Sequence, residues 1–130
     1  MPFLIDTNIA IHARDGADWV LDKLVEHDGA VAISALSVAE LQRGLYKDPT
    51  QTAIRAPRLA LLLRDIPILP FDAAAAEAYG AIIAALGWVK GRDYDRMIGA
   101  HAISAAAVLV TANVADFRDI PGLTLETWRP

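Results

Sequence analysis

Three acids are the places where this sequence could hold chemistry. Asp6 directly follows the apolar run Phe3-Leu4-Ile5, Glu40 lies in Ser37-Val38-Ala39-Glu40, and Asp95 opens a pattern whose stripe continues through Ile98, Ala102 and Ala106. Each has a purely structural reading. Asp6 fits an N-cap or Asx-turn for the next helix. Ser37 and Glu40 fit a capping box, with Leu36 and Leu41 as its hydrophobic staple, and Glu40 is spaced to pair with Arg43. Asp95 fits another N-cap. The functional reading is compatible with all three. A carboxylate in a first turn faces the positive end of the helix dipole and stays ionised, and an acid on the face of an apolar stripe points inward, where it needs a partner or a metal. Carboxylates converging on one crevice suit hard cations such as Mg2+ or Mn2+. Such ions polarise a phosphodiester and activate water without a protein nucleophile. The absence of cysteine excludes disulfides, thiolate zinc sites and a cysteine nucleophile, and His12, His27 and His101 share no ligand spacing.

The elements that must position these acids follow from the apolar pattern. Phe3-Leu4-Ile5, Ala30-Val31-Ala32-Ile33 and Val108-Leu109-Val110 read as buried strands, with a fourth over 123–127 and an extended stretch over 66–69 bounded by Pro67 and Pro70. Helical spacing marks 17–27, 38–47, 51–65, 73–87 and 95–106. Within 51–65, Pro57 must start, kink or split the element; within 73–87, Ala76, Tyr79, Gly80 and Ile83 share a face. Strands apolar throughout and alternating with helices imply an α/β fold: a parallel central sheet of four or five strands with helices on both faces. The crevice of such a sheet lies at the carboxyl ends of its strands, where Asp6 and Thr111 both fall. A length of 130 residues fits one domain, 1–130.

Charge constrains the partner. With 12 Lys and Arg against 16 Asp and Glu, the net charge is −4, so a nucleic acid must be held by local basic patches or by metal. Lys90, Arg92 and Arg96 surround the third acid and are candidates for positioning phosphate. Arg43, Lys47, Arg55, Arg58 and Arg64 form a second basic set. An acid at position 6 comes too early for a signal peptide, and no apolar run approaches the ~20 residues that span a bilayer. The expectation is a cytoplasmic protein without membrane association.

At these same residues the chain resembles the PIN-domain family. Leu4-Ile5-Asp6-Thr7-Asn8-Ile9 is similar to the family's opening strand and first acid. Ile33-Ser34-Ala35-Leu36-Ser37-Val38-Ala39-Glu40-Leu41, continued by Gly44, resembles its second-acid segment, and Ile68-Leu69-Pro70-Phe71-Asp72 the segment before its central helix. Tyr94-Asp95-Arg96-Met97-Ile98-Gly99-Ala100-His101-Ala102 resembles the third-acid helix. Val108-Leu109-Val110-Thr111-Ala112-Asn113, Asp116-Phe117 and Ile120-Pro121-Gly122-Leu123 resemble the closing segment. The short layout resembles that of the VapC-type toxins of type II toxin–antitoxin pairs.

The resemblance implies a metal-dependent endoribonuclease. Asp6, Glu40 and Asp95 would hold Mg2+ or Mn2+, Asn113 or Asp116 would complete the site, and Thr7 and Thr111 would bond metal water or a neighbouring carboxylate. It also implies an RNA substrate, a cognate antitoxin that blocks the site, and a homodimer. Three departures stand out: Asn113 replaces the fourth acid of many members, Arg96 replaces a usually apolar residue, and Gly99 a usual alanine. Arg96 is read as contacting phosphate or pairing with Asp93. Two other readings are a non-catalytic interaction module of the same fold and a phosphatase that forms an aspartyl-phosphate after a strand. The latter chemistry calls for a second acid two residues on, where this chain has Asn8.

Overall fold

A computed structural model gives the structure of the protein and describes residues 2–130. The elements in chain order are β1 (Phe3–Ile5), α1 (Thr7–Arg14), α2 (Asp18–Glu26), β2 (Val31–Ser34), α3 (Ala35–Lys47), α4 (Thr52–Asp65), β3 (Ile68–Leu69), α5 (Ala73–Leu86), α6 (Asp93–Ser104), β4 (Val108–Thr111) and β5 (Leu125–Thr127), with short 3-10 turns at Pro49–Gln51 and Val114–Asp116. The five strands form one sheet in the order β3-β2-β1-β4-β5, and every pairing is parallel. β1 is central: Phe3, Leu4 and Ile5 align with Val31, Ala32 and Ile33 on one side and with Val108, Leu109 and Val110 on the other.

The apolar runs are strands because both faces are covered, and the two-residue period divides them between two cores. Leu4, Ala32 and Leu109 point to one face, where Ile82 of α5 and Ile98, Ala100 and Ala102 of α6 bury them. Ile5, Val31, Ile33 and Val110 point to the other, against Ile9, Ala10, Val20, Leu41 and Leu59 from α1 to α4. The chain builds β2 and β3 on one side of β1, then crosses over to add β4 and β5 on the other. The crevice at the carboxyl ends of β1 and β4 is thus a topological switch point.

Several helices differ from their sequence pattern. α3 starts at Ala35, not near 38, because β2 passes directly into it. Ser34 is the N-cap, its Oγ accepting from Leu36 N at 3.1 Å. Ser37 therefore lies inside the helix, fully buried, and the capping box of Ser37 and Glu40 does not form. α6 starts at Asp93 with Arg92 at the cap position, so Asp95 is the third helical residue and not an N-cap. α5 presents Ala75 and Ile82 to the core, while Ala76 and Gly80 face outward. Its residues are apolar on every side, so periodicity could not select the buried face. Pro57 splits nothing: α4 continues through it, forgoing one backbone bond.

His101 ties these pieces together. Its Nδ1 is 2.8 Å from the hydroxyl of Ser34, the same group that caps α3. Burial lowers its pKa from 6.5, against the opposing pull of Asp72 and the Pro70 carbonyl. A lowered histidine pKa means that the fold prefers the neutral ring. That preference is complete above about pH 6.5 and is lost as pH falls toward the folded pKa. His101→Gln should therefore melt lower than wild type at pH 7.5, by about 1 kcal/mol for the lost bond, and the gap should narrow toward pH 5. Parallel melts of the two proteins across that range check it. A gap that stays constant would mean that the ring does not titrate with folding.

Candidate active site

Four acids from four segments face the crevice. Asp6 follows β1 and caps α1, its Oδ1 accepting from Ile9 N at 2.8 Å; its backbone N–H donates to the Val110 carbonyl at 3.0 Å. The residue is 4% exposed, and the Thr111 hydroxyl at the end of β4 hydrogen-bonds its carboxylate. The capping reading of Asp6 thus holds, and the same residue lines the crevice. Glu40, on the inner side of α3, accepts at Oε1 from the Thr7 hydroxyl at 2.8 Å, and Thr7 also lies 3.0 Å from Ser37 Oγ. The buried serine that fails to cap α3 thereby helps to hold the threonine that holds Glu40. Asp95 is half-buried in the first turn of α6.

Asp116, in the 3-10 turn after β4, is the fourth acid. Its Oδ2 accepts from the Asn113 side-chain amide at 2.7 Å, and its backbone carbonyl accepts from Arg92 Nη2 at 2.8 Å. Asp6, Thr7, Glu40, Asp95 and Asp116 all line one cleft of about 270 Å³. Asn113 is not in its wall. The Asn113 backbone N–H bonds the Thr111 hydroxyl at 2.9 Å, so Asn113 supports two of the site's groups from behind.

The electrostatics follow from this crowding. Burial pushes the Asp6 pKa up, with smaller contributions from the charges of Asp116 and Glu40; the bonds from Thr111 and Ile9 oppose it. Burial, then Asp116, raises Asp95, partly offset by Arg92, with Glu40 and Asp6 adding to the rise. The site carries an unrelieved cost of like charges. Oxygen donors of this kind fit a hard divalent cation. Among the described residues, however, no three acids or histidines stand close enough to form a closed coordination shell. The donor chemistry fits; the side chains would have to draw together around an ion.

The basic residues sort differently from their sequence order. Arg96 is 3% exposed and reaches Asp119 at 3.5 Å, not Asp93. Asp93 instead accepts from the Tyr79 hydroxyl at 2.7 Å and from Trp88 Nε1 at 3.0 Å. Arg92 is bound to the Asp116 carbonyl and lies 3.7 Å from Asp119. Lys90 is exposed, outside the cleft wall. Of the second basic set, Arg55 bonds the Gly44 carbonyl and Arg64 pairs with Asp65. Arg43 and Lys47 line the cleft. Their helical spacing from Glu40 was the signal that could have singled them out.

Comparisons with known proteins agree with the fold. A family model described as the PIN domain matches residues 3–123. Ribonuclease VapC2 of Rickettsia felis is 32% identical over 134 residues, covering 98% of both chains. The tRNA(fMet)-specific endonuclease VapC of Shigella flexneri is 33% identical over 132 residues, again covering 98% of each. Among solved structures, VapBC2 from Rickettsia felis bound to a DNA fragment from the promoter superposes with a TM-score of 0.88 at 31% identity, covering 99% of this chain and 100% of that one. DNA-bound VapBC from Salmonella typhimurium gives 0.84 at 28% identity, covering 99% of each. With four acids gathered at the switch point of a parallel sheet and near-complete coverage by these relatives, the chain belongs to the PIN-domain family and, within it, to the VapC proteins.

Proposed function

We propose that this protein is the toxin of a toxin–antitoxin pair, an endoribonuclease that hydrolyses RNA phosphodiester bonds with Mg2+ or Mn2+. One observation carries the reading: four carboxylates from separate segments share a single cleft, with Asp6 and Asp95 both raised in pKa by burial and by the neighbouring carboxylates of Asp116 and Glu40. Such crowding is costly in the free protein and favourable around a cation. The names of the VapC relatives support RNA as the substrate.

In this reading Asp6, Glu40 and Asp95 hold the ion, and Asp116 supplies the fourth charge. A bound divalent ion polarises the phosphodiester and makes water a better nucleophile. The chain's own work is orientation. Ile9 N–H and Thr111 fix Asp6, Thr7 fixes Glu40, and the Asn113 amide fixes Asp116. Lys90 remains available to a flanking phosphate. Arg92 acts through the turn that carries Asp116.

The partners belong to the same proposal. A toxin–antitoxin complex from Klebsiella pneumoniae and VapBC-5 of Mycobacterium tuberculosis, from a family of toxin–antitoxin systems, share this fold, which supports an antitoxin here. An antitoxin arginine entering the acidic cleft would take the place of metal charge. The outward line of Ala76, Gly80 and Ala84 on α5 lets a second helix approach closely and supports a homodimer. None of the helices in the described residues is long and apolar enough to cross a membrane.

The test is an RNA cleavage assay with metal removed and restored. Chelator should abolish cleavage, and Mg2+ or Mn2+ should restore it. Asp116→Ala should lower activity at limiting metal and shift the metal dependence to higher concentration. Asn113→Ala should do so more weakly, since it loosens Asp116 without removing its charge. Undiminished cleavage in chelator would overturn the metal-dependent reading. An Asp116→Ala protein with unchanged metal dependence would reduce that residue to a turn former.

A further inference from the structure

The acids occupy one part of the cleft, and its continuation along α3 is cationic. Glu40, Arg43, Gly44 and Lys47 all line the same cleft. Their spacing of three, four and seven residues puts them on one side of the helix. At 1.5 Å per residue, Lys47 stands about 10 Å along the axis from Glu40 and about 6 Å from Arg43.

Both cations are available. Arg43 is 3.8 Å from Glu40 with its side chain 64% exposed, a loose surface pair of little strength. Lys47 has no ion pair among the described residues, and the adjacent acid Asp48 is turned to the backbone N–H and hydroxyl of Thr50, at 3.2 and 2.7 Å. Between the two cations Gly44 leaves the groove floor bare: a Cβ there would meet nothing nearer than Arg14 Nη1 at 4.0 Å. Asn8 and Ile11 of α1 form part of the remaining wall. By contrast, Arg92 and Arg96 near the third acid are engaged by Asp119 and the Asp116 carbonyl.

We propose that the single-stranded RNA backbone leaves the acidic centre along α3, passing over Gly44, with Arg43 and Lys47 each neutralising a flanking phosphate. This rests on the nuclease reading and adds the path of the strand to it. On a chain of net charge −4, these two residues supply the local positive charge that a phosphodiester substrate requires.

The test uses Arg43→Gln, Lys47→Gln, the double variant and Gly44→Leu, with Arg64→Gln on α4 as a control for loss of charge elsewhere. Binding of a short fluorescent single-stranded RNA is read by anisotropy in the Asp6→Asn background, where the strand stays intact. Steady-state cleavage is followed in the wild-type background. Each single charge variant should weaken binding several-fold and lower the salt slope of log K by about 0.7, as expected for one phosphate contact on a single strand. The double variant should lose about twice that slope. In cleavage, KM should rise with kcat little changed, and Gly44→Leu should raise KM although it alters no charge. A double variant with the affinity and salt slope of Arg64→Gln, or a Gly44→Leu protein with wild-type KM, overturns the track. If wild type cleaves no RNA while the charge variants still lose binding, the nuclease reading falls and the track stands.

Discussion

Asp6→Asn is expected to abolish RNA cleavage, by at least about 100-fold and so beyond the loss typical of an outer-shell partner, while leaving the metal-free protein as stable as wild type or more so. The two effects have one cause. Asp6 is buried beside Asp116 and Glu40, and its pKa is raised. A raised carboxyl pKa means that ionisation costs stability: the cost sets in as pH rises through 3.8 and is fully present above the folded pKa. Asparagine escapes that cost at neutral pH and still caps α1 through Ile9 N–H, since Asn and Asp cap about equally well. Mg2+ at a hundredfold excess over Kd stabilises the wild type by about 2.7 kcal/mol, and this rise should be blunted in the variant. Thermal melts with and without Mg2+, run beside cleavage, decide the matter. A variant that cleaves at the wild-type rate sinks the assignment of Asp6. One that is inactive and markedly less stable without metal would mean that the residue serves the fold alone.

Gly99→Leu is expected to cost about 1–3 kcal/mol, the usual range for overpacking a core, and to lose activity beyond what the stability loss explains. Gly99 lies one turn after Asp95 on α6, fully packed against the closing segment. A Cβ placed there would stand 2.7 Å from Ile120 Cδ1 and 3.5 Å from Leu123 Cδ2. Leucine must push that segment outward, and Asp116 travels with it. Gly99→Ala is the informative companion. It gains about 1 kcal/mol of helix propensity and needs only the end of the Ile120 side chain to move, so it should fall near wild type. Urea unfolding with unchanged m-values, together with the metal dependence of cleavage, measures both consequences. A leucine variant as stable as wild type would show the closing segment to be softer than its packing implies.

These two positions also show how much the sequence could tell. β1, β2 and β4 were legible as uninterrupted apolar runs because strands covered on both faces have no polar side to show. Asp6 was legible for the same reason, as the first polar residue after such a run, and Asp95 because it shares a side of its helix with buried residues. The start of α3 was misread because Ser34 and Ser37 offer competing caps, and local pattern cannot reveal that Ser37 is buried against Thr7. The inner side of α5 was hidden by its uniform apolarity. Arg96 was open to misassignment because Asp119 lies 23 residues away in sequence. Whether Asn113 or Asp116 faces the cleft depended on a turn too short to carry a periodicity. The reason for Gly99, the Ile120 side chain packed against it, lies 21 residues further along the chain.

The central place of β1 has a consequence for the ribosome-bound chain. Its neighbour β4 begins at Val108, opposite Phe3, so the first strand made waits for one of the last. At synthesis rates of about 5–20 residues per second, that interval is about 5–20 s. Until β4 arrives, Asp6 lacks both the Val110 carbonyl and the Thr111 hydroxyl that seat it, and Asp95 and Asp116 have no fixed place beside it. A nascent chain thus lacks the complete acidic site for nearly the whole of its translation, and a chain that stops anywhere before β4 never assembles it. On the function proposed above, cleavage is expected only late in synthesis, once β4 has joined β1.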